Sequence, residues 1–495
     1  MKFISAAVLI LSAALAPCLE GAGKRPNVVI VINDDESWFE ASAYGRSDVQ
    51  TPAFDQLARS GVLIRHGYTS APSCAPSRAA LLTGRNFWEL EQGAYIQAWV
   101  PSKFARLPDL LAAAGYFTGY TGKGWGPGVV DPHGGPENIA GRAFNGRMHK
   151  EVAPGLSRID YVANFAAFLR QKPRNAPFYF WVGVLEPHEP WGPDNYKKLN
   201  LPLEKITLPA YHPDTIGVRR NRANYLWEVE DADRTLAKVV ALLRETGELE
   251  NTIIIATADN GTPVPRMKAD VYDEGLHVPM AISWPKGIPG GRRIDDFVNF
   301  IDLAPTILEA AGAPVPAEMS GRSVLSILKS DKSGQVDPER TWTMGGLEWH
   351  GTTHAGLPAR MIRTQRFIYI RNYTDAVRVE IPVERRRNLE DWGKLSETFN
   401  VAQLIVGFPH HPVVAAKLPY LQEARPMEEL YDCQADPQQM NNLAADPRYA
   451  MVKARLVKVM EDYQRRTGDP RITGDLKIFN ETLKFVQKRK ASGYR

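Results

Sequence analysis

Cysteine is scarce in this chain: Cys18, Cys74 and Cys433 are the only three in 495 residues, too few for a disulfide framework. Charge of one sign is lacking too, because 60 lysines and arginines against 56 aspartates and glutamates leave a formal +4. So small a bias gives no case for a nucleic-acid partner and is compatible with an anionic small molecule or glycan. Beyond the N-terminus no apolar run approaches the length of a membrane span, and there are no internal repeats or low-complexity tracts. What the chain does have, 44% hydrophobic and 23% charged residues, suits a large soluble enzyme with one extensive core and a smaller second one.

The opening MKFISAAVLILSAALAPCLEGAG carries a lysine, an apolar run over residues 3–16 and small residues after it, the layout of a secretory signal. This predicts a signal peptide over residues 1–23, a secreted or periplasmic mature protein and no transmembrane segment after cleavage. Cys18 raises lipid anchoring as an alternative, but Pro17 before it suits a lipoprotein site poorly. Signal removal leaves Cys74 and Cys433 in an oxidising compartment, where a lone thiol calls for an explanation.

Cys74 lies in SAPSCAPSRAALLTGR, residues 70–85. An isolated cysteine is ordinarily a small buried hydrophobe. Here Pro76 suits the first turn of a helix, residues 79–82 continue it and Gly84 suits its end. Cys74 would then sit at the positive end of a helix dipole, where backbone N–H groups favour an anion.

Four continuous apolar runs read as buried parallel strands, and each leads into polar residues. Residues 27–32 (NVVIVI) end in Asn33-Asp34-Asp35, and residues 116–120 (YFTGY) in Thr121-Gly122-Lys123-Gly124. Residues 178–184 (FYFWVGV) precede Glu186-Pro187-His188, and residues 252–258 (TIIIATA) end in Asp259-Asn260-Gly261. Helical segments at 51–61, 108–115, 161–171 and 224–247 alternate with them. The fold class is therefore α/β: a mostly parallel central sheet flanked by helices, with ligands bound beyond the carboxyl ends of its strands. Asp34 and Asp35 brought near Asp259 would repel unless a cation sat among them. Oxygen ligands without a histidine or cysteine cluster indicate a hard ion, calcium or magnesium. The polar stretch SDKSGQVDPER at 330–340 reads as a linker. It divides a catalytic domain at 24–335 from a C-terminal α+β subdomain at 336–495, with strands at 341–345 and 366–371 and a helix at 449–466.

Asp34-Asp35, the run Cys74-Ala75-Pro76-Ser77-Arg78 with its Leu82-Thr83-Gly84 continuation, Gly122-Lys123, Pro187-His188, and Asp259-Asn260-Gly261 with Lys268 together resemble the type I sulfatases of the alkaline-phosphatase-like superfamily. The resemblance runs from about Arg25 to Asp446 and includes the tail ELYDCQADPQQMNNLAADP from Glu429. It implies an antiparallel sheet in the C-terminal subdomain. It also implies that Cys74 is oxidised to formylglycine by a maturation enzyme, and that Asp34, Asp35, Asp259, Asn260 and modified Cys74 bind a metal, usually calcium. The implied mechanism is a transesterification: a diol oxygen on residue 74 displaces the alcohol or amine from sulfur, then sulfate is expelled as the aldehyde reforms. Arg78 would hold the diol, Lys123 and Lys268 the sulfate oxygens, and His188 would protonate the leaving group or hold the sulfate. Sulfatases commonly carry a histidine two residues after the Gly-Lys lysine, whereas Trp125 stands here. A replacement from His133, His350 or His354 is the expectation.

Substrate contacts are expected from the C-terminal subdomain at Glu348, His350, His354 and Arg360, with Trp349 packed at the domain junction as the structural alternative. Arg385-Arg386-Arg387 reads as a solvated loop. Residues 35–44 (DESWFEASAY) resemble the branch containing heparan N-sulfatase. The expected substrate is a sulfated saccharide, O- or N-linked. Two other readings stay open: a formylglycine-dependent phosphonate or phosphate monoester hydrolase, and a non-catalytic glycan-binding homologue whose Cys74 remains a thiol.

Overall fold

β1 (Asn27–Asn33) is apolar from Val28 to Ile32 because both of its faces are covered. Val28, Ile30 and Ile32 enter one hydrophobic layer and Val29 and Val31 the other. At about 1.5–3 kcal/mol for each fully buried aliphatic side chain, this strand ties the two layers together. In the computed structural model, which describes residues 25–351, 357–374, 391–421 and 424–492, β1 is an interior strand of a seven-stranded sheet. The expected signal peptide with Cys18, and also His354 and Arg385-Arg386-Arg387, lie outside the described residues.

The other strands are β2 (Val62–Tyr68), β3 (Phe117–Gly122), β4 (Phe178–Gly183), β5 (Thr252–Ala258), β6 (Met280–Ser283) and β7 (Arg292–Asn299). Their order is β3-β4-β1-β5-β6-β2-β7. All pairings are parallel except those of β6, which runs antiparallel to both β5 and β2. The mostly parallel sheet expected from the sequence is present. Its β6-β2-β7 half was not foreseen, because VLIRHGY and RRIDDFVN carry charge and MAIS is only four residues long. Helices α1 (Pro52–Ser60), α4 (Tyr161–Gln171) and α5 (Ile216–Glu245) cover one face, and α2 (Cys74–Thr83) and α3 (Leu107–Ala113) the other.

α5 starts at Ile216 rather than at 224. The Thr215 side chain caps it by accepting from Val218 N at 3.2 Å, and the polar run VRRNR hides its first turns from an apolar-period reading. Buried in α5 is Glu228, whose Oε1 accepts from Gly192 N at 3.2 Å and Asn195 Nδ2 at 3.3 Å while Oε2 has no hydrogen-bond partner. Burial pushes its carboxyl up to about 8. A raised folded-state pKa contributes stability that is complete below the ordinary value of 4.5 and is lost as pH rises through about 8. Glu228→Gln is therefore expected to flatten the decline between pH 5 and pH 9 by on the order of 2 kcal/mol, read from urea unfolding across that range.

A second sheet of four antiparallel strands has the order β11-β10-β9-β8, formed by β8 (Trp342–Leu347), β9 (Ala359–Thr364), β10 (Phe367–Asn372) and β11 (Glu428–Asp432). One face, with Met344, Ile362, Tyr369 and Leu430, joins the main core, where it meets Leu456 and Met460 of the helix Ala450–Arg466. The other packs Met361, Ile368 and Ile370 against Tyr68, Tyr272 and Phe297. Among the described residues no helix is long and apolar enough to cross a membrane.

Candidate active site

Strand register aligns the polar clusters before any side chain is considered. Asn33 pairs with Ala258 and Ile32 with Gly183, while Gly122 pairs with Gly183. Asp34, Asp259 and Lys123 therefore leave neighbouring strands at one level. Backbone bonds extend the alignment past the strands: Asp34 N donates to Glu186 O at 3.2 Å, Asp259 N to Asn33 O at 3.0 Å and Lys123 N to Gly183 O at 2.8 Å. Gly122 is required here, since its φ is +72° and a Cβ would stand 2.0 Å from Gly183 O.

Two ion pairs and a buried arginine organise the cluster. Lys123 Nζ lies 2.5 Å from Asp34 Oδ2 and Lys268 Nζ lies 2.6 Å from Asp35 Oδ2. Arg78, on the inner face of α2, is fully buried and donates from Nε to Asp259 Oδ2 at 2.7 Å. Its Nη1 donates to the carbonyls of Lys123 at 2.8 Å and Gly124 at 3.1 Å, so it joins the ends of β5 and β3. Asn260 Nδ2 donates to Asp35 Oδ1 at 2.8 Å. Asp35 itself has φ +75°, a costly conformation for a non-glycine residue that persists where surroundings enforce it and that clusters at functional sites. His188 stands at the rim, 38% exposed, with Nε2 3.7 Å from Asp35 Oδ2.

Cys74 is the first residue of α2 and is 1% exposed. Its thiol can approach carboxylate oxygens of Asp34 and Asp259 closely enough for the three to share an ion, and Asp34, Asp35 and His188 form a second such group. Burial pushes the thiol pKa up, and Asp34 and Asp259 add to it; Lys123 and Lys268 do not reverse it. Burial pushes the Asp34 carboxyl up as well, but Lys123, Arg78 and His188 prevail and hold it below its ordinary value.

The donor set fits a hard cation. Asp34 Oδ1 and Asn260 Oδ1 are buried oxygen acceptors without a hydrogen-bond partner, and such groups are costly unless an ion or donor satisfies them. Both belong to residues expected as ligands, and carboxylate and amide oxygens suit calcium or magnesium.

The C-terminal candidates separate. His350 joins the cluster: its Nδ1 is 2.8 Å from Ser73 Oγ, next to Cys74. Burial, then Lys268, Lys123 and His188, holds the imidazole well below its usual pKa. Ser73 was not singled out from sequence although it lies inside the cysteine motif. Trp125 is buried and donates from Nε1 to Ala75 O at 3.0 Å, bracing the first turn of α2. His133 is exposed in a turn beside Asp131.

Glu348 and Arg360, expected as saccharide contacts, are instead structural. Arg360 is fully buried, donating to both Asp469 oxygens at 2.7 and 2.9 Å and to Glu348 Oε1 at 2.8 Å, and Glu348 also holds Arg471. A solute cannot reach an arginine so enclosed. Trp349 is buried in the main core, as the structural alternative had it.

The sequence profile of the family described as Sulfatase matches residues 26–313, and that described as N-sulphoglucosamine sulphohydrolase, C-terminal, matches residues 267–390. An ulvan-active sulfatase of Formosa agariphila is 28% identical over 458 residues, covering 90% of this chain and 81% of its own. Human N-sulphoglucosamine sulphohydrolase is 28% identical over 509 residues, covering 93% and 94%. Among solved structures, a protein in complex with its substrate D-glucosamine-2-N,6-O-disulfate superposes with TM-score 0.65 at 20% identity, over 90% of this chain and 99% of its own. The phosphonate monoester hydrolase of Silicibacter pomeroyi gives TM-score 0.65 at 18% identity, over 90% and 96%.

Proposed function

Since the chain belongs to the sulfatase family, we propose that it hydrolyses sulfate esters or N-sulfates of a saccharide in the cleft above Cys74. The observation that carries this reading is the position of Cys74, at the start of α2 on a buried oxygen cluster within electrostatic reach of Lys123 and Lys268. Oxidised to formylglycine by a maturation enzyme and hydrated beside a calcium ion held by Asp34, Asp35, Asp259 and Asn260, residue 74 would supply an oxygen nucleophile for sulfur.

The remaining roles fall to side chains already in place. Lys123 and Lys268, each with an ammonium in the cluster, would hold the sulfate oxygens and spread their developing charge. Arg78 would fix Asp259 and the Lys123 backbone relative to α2. His188, the most exposed of the group, would protonate the alcohol or amine that departs toward solvent. His350, kept neutral by burial and by the neighbouring cations, would accept a proton from residue 74, the task we assign to it because Trp125 occupies the position where sulfatases commonly carry a histidine. His350→Ala is expected to lower steady-state kcat on an aryl sulfate roughly 10²-fold while preserving a rapid first release of phenol. His133→Ala should change neither, and if His350→Ala has no effect the assignment fails.

The substrate class is supported by relatives named as an ulvan-active sulfatase and N-sulphoglucosamine sulphohydrolase, and the C-terminal profile favours the latter branch. The fold itself does not separate sulfatase from phosphonate monoester hydrolase. Aryl sulfate and aryl phosphonate with matched leaving groups, assayed in parallel on matured enzyme, test the reading. Faster turnover of the sulfate is expected, and phosphonate preference would overturn it.

A further inference from the structure

Beside α1 and β2, sharing no lining residue with the Cys74 cluster, is a cavity of about 890 Å³, within the size range of small-ligand sites. Five arginines line it, Arg59, Arg65, Arg292, Arg293 and Arg363, against two carboxylates, Asp55 and Asp273. Both carboxylates are engaged. Asp55 accepts from Ser42 Oγ at 3.0 Å and Thr51 Oγ1 at 3.4 Å, and Asp273 from Tyr68 Oη at 2.5 Å and Arg363 Nε at 2.8 Å. Arg65 pairs with Asp295 at 3.0 Å, and Arg292 is buried against backbone carbonyls. Arg59 and Arg293 remain. Both are exposed, and among the described residues neither has a carboxylate partner; Arg59 reaches only Gln56, at 3.3 Å.

The wall therefore carries uncompensated positive charge. His66 lines the same wall, where burial, then His277 and Arg363, push its imidazole down to about 3. Trp38 and Tyr44 add flat apolar surface to the same wall. Guanidinium groups recognise tetrahedral oxyanions through paired N–H donors, and a concave site of one sign focuses its field on an anion.

We propose that this cavity is a second binding site for sulfated saccharide, with Arg59 and Arg293 engaging sulfate groups of a chain segment remote from the one being cleaved. The ligand class rests on the sulfatase reading above; the cavity and its charge do not. Such a site would hold a polymer on the enzyme between turnovers without touching the reacting sulfate.

The test uses full-length Cys74→Ser protein and calorimetric titration with a short dextran sulfate, the unsulfated dextran and inorganic sulfate. Dextran sulfate is expected to bind, unsulfated dextran is not, and inorganic sulfate should bind far more weakly because it engages one arginine at a time. Arg59→Gln/Arg293→Gln should weaken dextran sulfate binding about tenfold or more. Lys238→Gln/Arg455→Gln, which removes the same charge from exposed helix positions elsewhere, should weaken it less than about twofold. On a Cys74 background the arginine pair should leave aryl sulfate turnover unchanged. Equal losses in the two double variants, no loss in the arginine pair, no binding by the parent, or inorganic sulfate binding as tightly as the oligomer would each overturn the proposal. Arginine-dependent binding without aryl sulfate turnover would leave the cavity standing and remove the sulfatase reading; turnover without such binding would do the reverse.

Discussion

Cys74→Ala is expected to lower kcat on an aryl sulfate by roughly 10⁴-fold or more while the protein stays folded. On the proposed reading the large loss follows from removing the only atom at that position able to become an attacking group; the lysines and a metal held by the carboxylates would stabilise charge but could not supply a nucleophile. The small structural effect follows from place and size. Cys74 opens a ten-residue helix that is held by Pro76, by the Trp125 bond to Ala75 O and by Ser77 Oγ donating to Asp259 O at 2.5 Å. Alanine is the best residue for a helix and leaves those bonds intact. Circular dichroism and thermal unfolding should match the parent, with turnover at the background rate. Residual activity within about tenfold of the parent would mean that another residue attacks sulfur.

The second large effect concerns stability. Arg360→Met should cost about 3–5 kcal/mol, because removing one partner of a buried ion pair leaves an uncompensated charge. Asp469 would keep only Gln464 Nε2 at 2.8 Å and backbone donors such as Arg471 N at 3.0 Å, and Glu348 would depend on Arg471 alone among its present charged partners. Arg360→Lys should recover little, since a single ammonium cannot reproduce the forked contact with both Asp469 oxygens. Arg360→Met/Asp469→Leu should recover much of the loss, because no buried charge then stands unpaired. Urea unfolding measures all three. If Arg360 were instead a saccharide contact, KM would rise in the folded enzyme while stability held; an unchanged KM per folded molecule is the expected result.

These cases show which parts of the site the sequence could reveal. Asp34, Lys123 and Asp259 were legible because a buried parallel strand writes itself as an uninterrupted apolar run, and the residue after such a run must lie at the sheet's carboxyl edge. Arg360 was misread because its partner Asp469 is 109 positions away; burial of an arginine is decided by long-range packing that no local pattern records. β2 and β7 escaped for a related reason. Arg65 and Asp295 face each other across these strands as an exposed pair, so their segments carry charge where a central strand would not. His350 was legible as a candidate, yet only the bond from Ser73 distinguished it from His133. The cationic cavity was illegible altogether, since Arg59 on α1 and Arg293 on β7 are far apart in the chain and line one cavity only in the folded protein.

The measurement closest to the central claim compares aryl sulfate turnover with the fraction of residue 74 present as aldehyde, across preparations coexpressed with varying amounts of a formylglycine-generating enzyme. Mass spectrometry of the peptide containing residue 74, with hydrazide capture, gives the fraction. Turnover rising in proportion to the aldehyde and vanishing with it is the predicted result. Turnover that persists in protein whose residue 74 is wholly thiol would contradict the account.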